Sequence, residues 1–363
     1  MPRIAEIQTR TFRLPLAGSL RWGRSSQLNE LEHVLVRVIT DTGHVGQAEA
    51  PPRPTIYGET PQSIHAIIRY HLAPRLIGLD LTEMKQADER MASVANNHTA
   101  KAAIDICLHE ALAASQGLSL LEYLEPPRPK IKVSYILGIA EPKTMLAEAR
   151  SVYDRGVRVL KVKVGRNFEN DLAIIRELQT EFRGSDLSLY ADANEGLLPE
   201  TVHRQLRQLA EHDILYIEEP LPVELILERA ELRATNILPL IADDSTFTIR
   251  DLNRELRFNT FDILNIKTAR TGYFRSHQML AAARHYEKGV MVGSQASSTL
   301  GTIRAAIFAG LEGIDHPSEL SFFLKLKDDI VNRPIELEDG YLDLESLTGI
   351  TVDEQKLEEM STL

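Results

Sequence analysis

The stretch VRVLKVKVG, residues 157–165, is the part of the sequence on which the fold assignment depends. Its valines and leucine form a short apolar run closed by Gly165, which is typical of a strand buried on both faces. Lys161 and Lys163 interrupt that run, and because side chains alternate along a strand, both ammonium groups lie on the same side. Two cations can share a buried face only if carboxylates or a substrate anion lie opposite them. The stretch therefore predicts a strand that serves a charged site.

Similar apolar runs recur after the proline-rich segment EPPRPK, residues 125–130. They are IKVSYILG (131–138), LSLYADAN (187–194), DILYIEEP (213–220), LPLIADDS (238–245), FDILNIKTA (261–269) and GVMVGSQA (289–296). Amphipathic helical stretches separate most of these runs, a pattern that predicts βαβ units and a parallel sheet. Seven units at intervals of roughly 25 residues, with a candidate eighth around residues 310–320, favour a (β/α) barrel over an open sheet.

The residues before this region have a different pattern. IAEIQTRTFRLPL (4–16) and EHVLVRVITDTGHVGQAEA (32–50) predict antiparallel strands, and helical patterns follow at roughly 61–74 and 99–116. We therefore predict an N-terminal α+β domain over residues 1–125 and a barrel over 126–325. Residues 326–363 fit no further unit and are expected to return to the first domain.

Charged side chains end the predicted barrel strands from the second to the sixth. In strand order they are Lys161 and Lys163, then Asp192 with Asn194, Glu218 with Glu219, Asp243 with Asp244, and Lys267. The carboxyl ends of barrel strands form the active-site face. Three carboxylates on adjacent strand ends can converge on a hard divalent cation such as Mg²⁺.

Such a cation can hold a substrate carboxylate and stabilise the charge that develops when the neighbouring C–H bond loses its proton. A lysine can act as the base if its pKa falls towards neutrality, and a nearby ammonium and dication favour that fall.

The composition excludes several other classes of protein. The formal net charge of −11 leaves no excess of cations to neutralise nucleic-acid phosphates. No apolar stretch approaches the ~18 residues of a membrane span, and the first residues lack the apolar core of a signal peptide. The single cysteine, Cys107, forms no disulfide within the chain, which agrees with a reducing cytoplasm. Neither GxGxxG nor a P-loop occurs, so nucleotide chemistry has no support. We expect a cytoplasmic protein without a nucleic-acid or membrane partner.

Taken together, these residues resemble the enolase superfamily, specifically its muconate lactonizing enzyme (muconate cycloisomerase) subgroup. The resemblance covers nearly the whole chain and implies an α/β fold, a modified TIM barrel (β/α)7β with an N-terminal α+β capping domain. It implies one Mg²⁺ per subunit, a small-molecule carboxylate substrate and a homo-oligomer, which is common in the superfamily. The matching residues are Lys163 and Lys267 as catalytic lysines, Lys161 near the substrate carboxylate, and Asp192, Glu218 and Asp243 as metal ligands.

The sequence departs from the subgroup in places. The residue after the third metal ligand is often Glu but is Asp244 here, and we expect Asp244 and Glu219 to support the ligands from behind. Dipeptide epimerases usually carry Asp-x-Asp on the eighth strand. This chain has Ser318-Glu319-Leu320-Ser321 there, which resembles the cycloisomerases and favours Glu319 as a site residue.

The resemblance also implies substrate contacts from two loops of the capping domain, which match SLRWGRSSQ (19–27) and PPRPTIYGET (51–60). Trp22, Arg24 and Tyr57 are the candidates there, because an aromatic surface with a cation suits a second polar or anionic end of the substrate. Asn194 and Ser297, at the ends of barrel strands, are the polar candidates.

Several reactions remain open on the sequence alone. Racemisation or epimerisation, cycloisomerisation of a muconate, and an o-succinylbenzoate synthase-type syn-dehydration use the same machinery. A Schiff-base lyase with Lys163 or Lys267 as nucleophile is a different class, but it leaves the three carboxylates unexplained. A non-catalytic descendant that binds a metabolite is a further alternative, although none of the five key positions is lost.

Overall fold

The computed structural model describes residues 1–22 and 26–361 of the 363-residue chain. An N-terminal three-stranded antiparallel sheet has the order β1-β2-β3, with strands Ile4–Trp22, Ser26–Thr40 and Val45–Ala50. Five α-helices follow: α1 Pro61–Ile67, α2 Ala73–Leu76, α3 Met84–Ala92, α4 His98–Ser115 and α5 Leu120–Leu124, with a π-helical turn at Ile68–Leu72 between the first two. The sheet presents alternating apolar side chains, among them Phe12, Leu14, Val34 and Val36, to the core.

Helix α4 packs closely on this sheet because Gly46 leaves room for it. A Cβ on Gly46 would lie 1.9 Å from the carbonyl oxygen of Cys107, so only glycine allows the approach. Cys107 itself is buried, and its Sγ donates to the carbonyl of Val36 at 3.2 Å.

The barrel region contains seven parallel strands in the order in which they occur along the chain. The strands are β5 Tyr135–Ile136, β6 Val159–Lys163, β7 Ser188–Asp192, β8 Ile214–Glu218, β9 Leu240–Ala242, β10 Ile263–Ile266 and β11 Gly289–Val292. The helices between and after them are α6 Pro142–Tyr153, α7 Phe168–Glu181, α8 Val202–Glu211, α9 Ile226–Ala234, α10 Ile249–Phe258, α11 Thr268–His285 and α12 Thr299–Ala309. The modified TIM barrel with an N-terminal capping domain is thereby confirmed.

The first and last barrel strands differ from the expected pattern. IKVSYILG is divided: β4, Lys130–Lys132, pairs antiparallel with β12, Tyr341–Asp343, and only Tyr135–Ile136 joins the barrel. The predicted eighth unit is no regular strand, but its backbone still closes the barrel. Ser134 N donates to Ser318 O at 2.8 Å, and Glu319 N donates to Val292 O at 2.8 Å. Glu319 is thereby fixed between the first and seventh strands.

The alternation along β6 explains its two lysines. Leu160 and Val162 point outward into the large core shared with the helices, whereas Val159 belongs to a separate apolar cluster inside the barrel. That inner cluster consists of Val159, Tyr190, Tyr216, Ile241, Ile263 and Met291. Because side chains alternate, Lys161 and Lys163 lie on the Val159 face. They stand above this apolar layer, at the carboxyl end of the barrel.

The C-terminal residues contact the first domain. Leu326 forms an isolated bridge with Leu16, Lys327 N donates to Pro15 O at 2.9 Å, and Ser361 pairs with Phe12. Helix α13, Glu354–Met360, follows the last strand. Among the helices of the described residues, none is both long and apolar enough to cross a bilayer.

Candidate active site

Lys161 is at the centre of a buried charged cluster. It is only 2% exposed, and its Nζ lies 2.9 Å from Asp192 Oδ2, 2.8 Å from Glu218 Oε1 and 2.5 Å from Glu319 Oε1. The hydroxyl of Tyr190 also donates to Glu319 Oε1, at 2.9 Å. One ammonium group thus bridges carboxylates from the third, fourth and last segments of the barrel.

Lys163 and Lys267 contact the two outer carboxylates of the predicted metal-binding set. Lys163 Nζ donates to Asp192 Oδ2 at 2.5 Å and to Asn194 Oδ1 at 2.8 Å. Lys267 Nζ donates to Asp243 Oδ2 from the other side. Since Glu218 lies on the strand between those of Asp192 and Asp243, the two lysines flank the carboxylate set.

Glu219 and Arg270 hold Asp243 in place. Glu219 Oε1 accepts the backbone N–H groups of Asp243 at 2.6 Å and of Ser245 at 2.8 Å, and Glu219 Oε2 faces Arg229 at 3.4 Å. Arg270 Nη2 donates to the carbonyl of Asp243 at 2.7 Å. Glu219 therefore orients the backbone at Asp243. Asp244 lies 3.7 Å from Arg270 Nη1 and also lines the cavity.

Gly293, directly after β11, leaves space for Lys267. A Cβ at this position would lie 2.2 Å from Asn265 Oδ1 and 2.8 Å from Lys267 Cε. Asn265 Nδ2 in turn donates to Glu218 Oε2 at 3.3 Å. The glycine therefore determines where the side chains of Asn265 and Lys267 can lie.

Gly293→Ala is expected to displace Lys267 and to lower turnover by about 10²-fold, since small misplacements of catalytic groups carry such a cost. Steady-state kinetics and thermal unfolding measure the effect. Gly18→Ala is the matched control, because a Cβ at Gly18 meets nothing within 4 Å. Turnover equal to the wild type in Gly293→Ala would show that Lys267 does not depend on this space.

The donor set fits a hard divalent cation. In the described part of the chain, no group of three or more Asp, Glu, His or Cys side chains is already arranged to coordinate a metal ion. The oxygens of Asp192, Glu218 and Asp243 contact lysine ammonium groups instead. Asp243 Oδ1 is buried and accepts no hydrogen bond among the described residues, although Arg270 Nη1 is 3.1 Å away. An all-carboxylate set with a spare buried oxygen suits Mg²⁺, provided that the ammonium groups move off the oxygens that the ion uses.

The pKa shifts at this site follow from the same contacts. Burial raises the pKa of Glu218 well above its usual range, and the repulsion from Asp192, Glu319 and Asp243 adds to that shift against the pull of Lys161. Burial also acts on Asp192 and Asp243, but their lysine neighbours lower the pKa of both carboxyl groups below the usual range. These carboxylates therefore repel one another wherever no ammonium group contacts them.

The same carboxylates act on the pKa of Lys267. Burial is the largest single influence and lowers this pKa, but the attractions of Asp243, Asp244 and Glu218 together outweigh it, so the pKa of Lys267 is raised above its ordinary value. A lysine must lose its proton to act as a base, so this contact opposes a role of Lys267 as a base. A divalent cation on the carboxylates would remove that attraction, which physically links metal binding to the basicity of the lysine.

A cavity of about 230 Å³ lies between the barrel and the capping domain. Its floor includes the lysine and carboxylate side chains, and Arg53, Thr55 and Ile56 of the 51–60 loop line it from the capping domain. The loop after β11 contributes Ser294, Gln295 and Ala296.

Only some of the residues that were expected to contact the substrate line this cavity. Asn194 and Glu319 line it, whereas Ser297 is buried and is not among its lining residues in the described chain. Tyr57 packs against Phe247, with ring centroids 5.5 Å apart, and does not line the cavity. Trp22 is the last residue of β1, and Arg24 lies outside the described residues.

Sequence reasoning missed Arg53, Tyr190 and Arg270. Tyr190 precedes Asp192 by two residues, so strand alternation already places both on one face. Arg270 lies within NIKTARTGY, three residues after Lys267, at the start of α11. Arg53 lies inside the 51–60 loop, but nothing in the sequence indicates that its side chain turns inward.

Two protein families match this chain. "Enolase C-terminal domain-like" matches residues 144–356, and "Mandelate racemase / muconate lactonizing enzyme, N-terminal domain" matches residues 15–124.

Characterised relatives match over nearly the full length. The L-Ala-D/L-Glu epimerase of Bacillus subtilis is 28% identical over 355 residues, which are 96% of this chain and 96% of that enzyme. The N-succinyl-L-Arg/Lys racemase of Bacillus cereus is 26% identical over 367 residues, 99% of this chain and 98% of that enzyme. The crystal structure of muconate lactonizing enzyme from Mycobacterium smegmatis with muconolactone is 38% identical, with a TM-score of 0.93 over 99% of this chain and 100% of that one.

Proposed function

Because this chain belongs to the mandelate racemase / muconate lactonizing enzyme family of the enolase superfamily, we propose that it is a Mg²⁺-dependent isomerase. It moves a proton on the carbon atom next to a substrate carboxylate. The observation that carries this proposal is the placement of Lys163 and Lys267 on either side of the strand-end carboxylates. Such a pair places a proton donor or acceptor on each side of a substrate held at those carboxylates.

Asp192, Glu218 and Asp243 are the residues that would hold the ion, one per subunit. When bound, Mg²⁺ supplies positive charge that stabilises the substrate carboxylate as negative charge develops on it. Lys161 adds a fixed positive charge beside the same oxygens, because it is buried and bonded to Asp192, Glu218 and Glu319.

The overall reaction that we propose is cycloisomerisation of a muconate-type dicarboxylate. An oxygen of the distal carboxylate forms a C–O bond to the far carbon of the double bond. The π electrons of that double bond shift to the carbon next to the first carboxylate. That carbon then takes a proton from the Lys163 ammonium, and Lys267 contributes its positive charge from the other side.

Glu319 favours this reaction over dipeptide epimerisation. A dipeptide brings a free ammonium group, which needs an available carboxylate. Glu319 is instead bonded to Lys161 and Tyr190, and Ser294 N donates to its second oxygen at 3.2 Å. The 38% identity to a muconate lactonizing enzyme supports the same choice.

Racemisation of an acylated amino acid is the second candidate. The presence of a lysine on each side favours it, since one can remove the α-proton and the other can return a proton to the opposite face. The N-succinyl-L-Arg/Lys racemase is a relative with this activity in its name. An o-succinylbenzoate synthase-type dehydration begins with the same removal of the α-proton. It is tested in the same experiment as racemisation. A Schiff-base lyase would leave the carboxylate set without a role.

A substrate panel with and without Mg²⁺ tests the proposal. It contains cis,cis-muconate, muconolactone, N-succinyl amino acids, dipeptides and the precursor of o-succinylbenzoate, each followed by NMR. We expect Mg²⁺-dependent conversion of muconate to muconolactone that EDTA abolishes. Conversion of N-succinyl amino acids alone would replace cycloisomerisation by racemisation, and metal-independent conversion would contradict the mechanism itself.

Location and assembly remain predictions. We propose a homo-oligomer in a reducing cytoplasm, in keeping with a single cysteine that is buried. Size-exclusion chromatography with light scattering tests the assembly.

A further inference from the structure

Arg53 differs from every other cation of the active-site cavity in the described chain. Lys161, Lys163 and Lys267 each contact at least one carboxylate. The guanidinium of Arg53 donates to the carbonyls of Pro52, at 2.6 Å, and of Gln295, and its Nη2 also donates weakly to His33 Nε2, at 3.4 Å. It is nevertheless just 6% exposed. Arg53 is therefore a buried positive charge on the wall of the cavity with no ion-pair partner among the described residues.

The nearby carboxylate of Glu49 is already engaged. Its Oε2 faces His33 Nδ1 at 2.9 Å, and its Oε1 accepts the N–H of Ser298 at 3.0 Å. Burial lowers the pKa of Arg53 to about 10, with only partial compensation from Tyr57 and Glu49. A buried charge without a partner is costly, and an anion arriving from the cavity would relieve that cost.

We propose that Arg53 binds a second carboxylate of the substrate and thereby makes this enzyme specific for dicarboxylates. The inference rests on the proposed function, in which the first carboxylate lies at Lys161 and the metal-binding residues of the barrel. Arg53 comes from the capping domain, so the two anionic ends are held by different domains. A guanidinium suits a carboxylate because its charged N–H groups donate strong hydrogen bonds, and none of the bonds described above uses Nε of Arg53.

A purely structural role for Arg53 makes a different prediction. By bonding to Gln295 O, Arg53 ties the 51–60 loop to the loop after β11. If that were its whole contribution, removing the side chain would weaken the binding of every ligand by the same factor. A carboxylate-binding role instead weakens the binding of diacids selectively.

The experiment compares each diacid with its own monomethyl ester. Succinate, glutarate, adipate, pimelate and their esters are titrated into the Mg²⁺-loaded enzyme by calorimetry, since none of them needs to react. We expect at least one diacid to bind about 10- to 100-fold more tightly than its ester, since charge-assisted hydrogen bonds are of that strength. Arg53→Met should remove that preference, and Arg53→Lys should restore part of it.

Two results would overturn the inference. One is a wild-type enzyme that binds no diacid more tightly than its ester, a measurement that requires no variant. The other is a preference for diacids that survives in Arg53→Met. Failure of the proposed function is separate, because it shows as the absence of Mg²⁺-dependent proton exchange in any carboxylate, whatever the binding of these diacids.

Discussion

Replacing Lys163 with methionine is expected to lower the rate of proton transfer at the substrate α-carbon by roughly 10³-fold or more, the range that a general acid or base contributes. Among the described residues Lys163 donates to Asp192 and Asn194, and its side chain is 11% exposed, compared with 2% for Lys161. Methionine keeps most of the volume and removes the transferable proton. Steady-state kinetics and single-turnover proton exchange measure the loss.

Lys267→Met is the matched comparison for this variant. If the reaction is cycloisomerisation, Lys163 transfers the proton and Lys267 serves as a charge, so exchange should survive in Lys267→Met at a reduced rate. If the reaction is racemisation, each variant should still exchange the proton of one enantiomer and not of the other. Unchanged turnover in Lys163→Met would remove this lysine from the mechanism.

Replacing Lys161 with methionine is expected to destabilise the metal-free protein by about 3–5 kcal/mol, the cost of breaking a buried ion pair from one side. Asp192, Glu218 and Glu319 would lose the ammonium that now bridges them, in a place where each is at most 2% exposed. Burial and the repulsion from the neighbouring carboxylates already raise the pKa of Glu218. Lys163 would still contact Asp192 in the variant, but Glu218 and Glu319 would have no lysine in contact among the described residues. Urea unfolding in EDTA measures the change.

Mg²⁺ should reverse a large part of this loss. A cation bound to Asp192 and Glu218 neutralises the same oxygens and binds only the folded chain, so it stabilises the variant by mass action. Lys163→Met is the control, because Lys163 contacts a single carboxylate and is half-buried, so its removal should cost less. If the free energy of unfolding of Lys161→Met were the same in EDTA and in Mg²⁺, this would argue against a metal at these carboxylates.

The positions of the charged strand ends could be predicted because two simple rules act together. Alternation fixes the face of Lys161 and Lys163, and the parallel order of a barrel brings successive strand ends to one edge. The register then pairs Lys163 with Asp192 and Asp192 with Glu218, so the predicted neighbours are neighbours in space. Side-chain alternation and the order of the strands are periodic patterns that can be read from a single sequence.

The first and last barrel segments could not be predicted in this way. Tyr135–Ile136 is too short to show a period, and the apolar run that contains it also supplies β4, which pairs with the distant strand β12. Closure at Ser318 and Glu319 uses backbone hydrogen bonds, which leave no pattern in side chains. Arg53 is a similar case, because its burial depends on Gln295 and His33, which lie far from it along the chain.

We expect this site to transfer a proton at the carbon next to a carboxylate with the help of Mg²⁺. The most direct test is deuterium incorporation in D₂O, followed by mass spectrometry, with muconolactone and N-succinyl amino acids as substrates and with EDTA and Lys163→Met as controls. We predict that deuterium enters the α-carbon of muconolactone only with Mg²⁺ and that this exchange is lost in Lys163→Met. Exchange into muconolactone that is as fast in EDTA, or as fast in Lys163→Met as in the wild type, would rule out Mg²⁺-assisted proton transfer by Lys163.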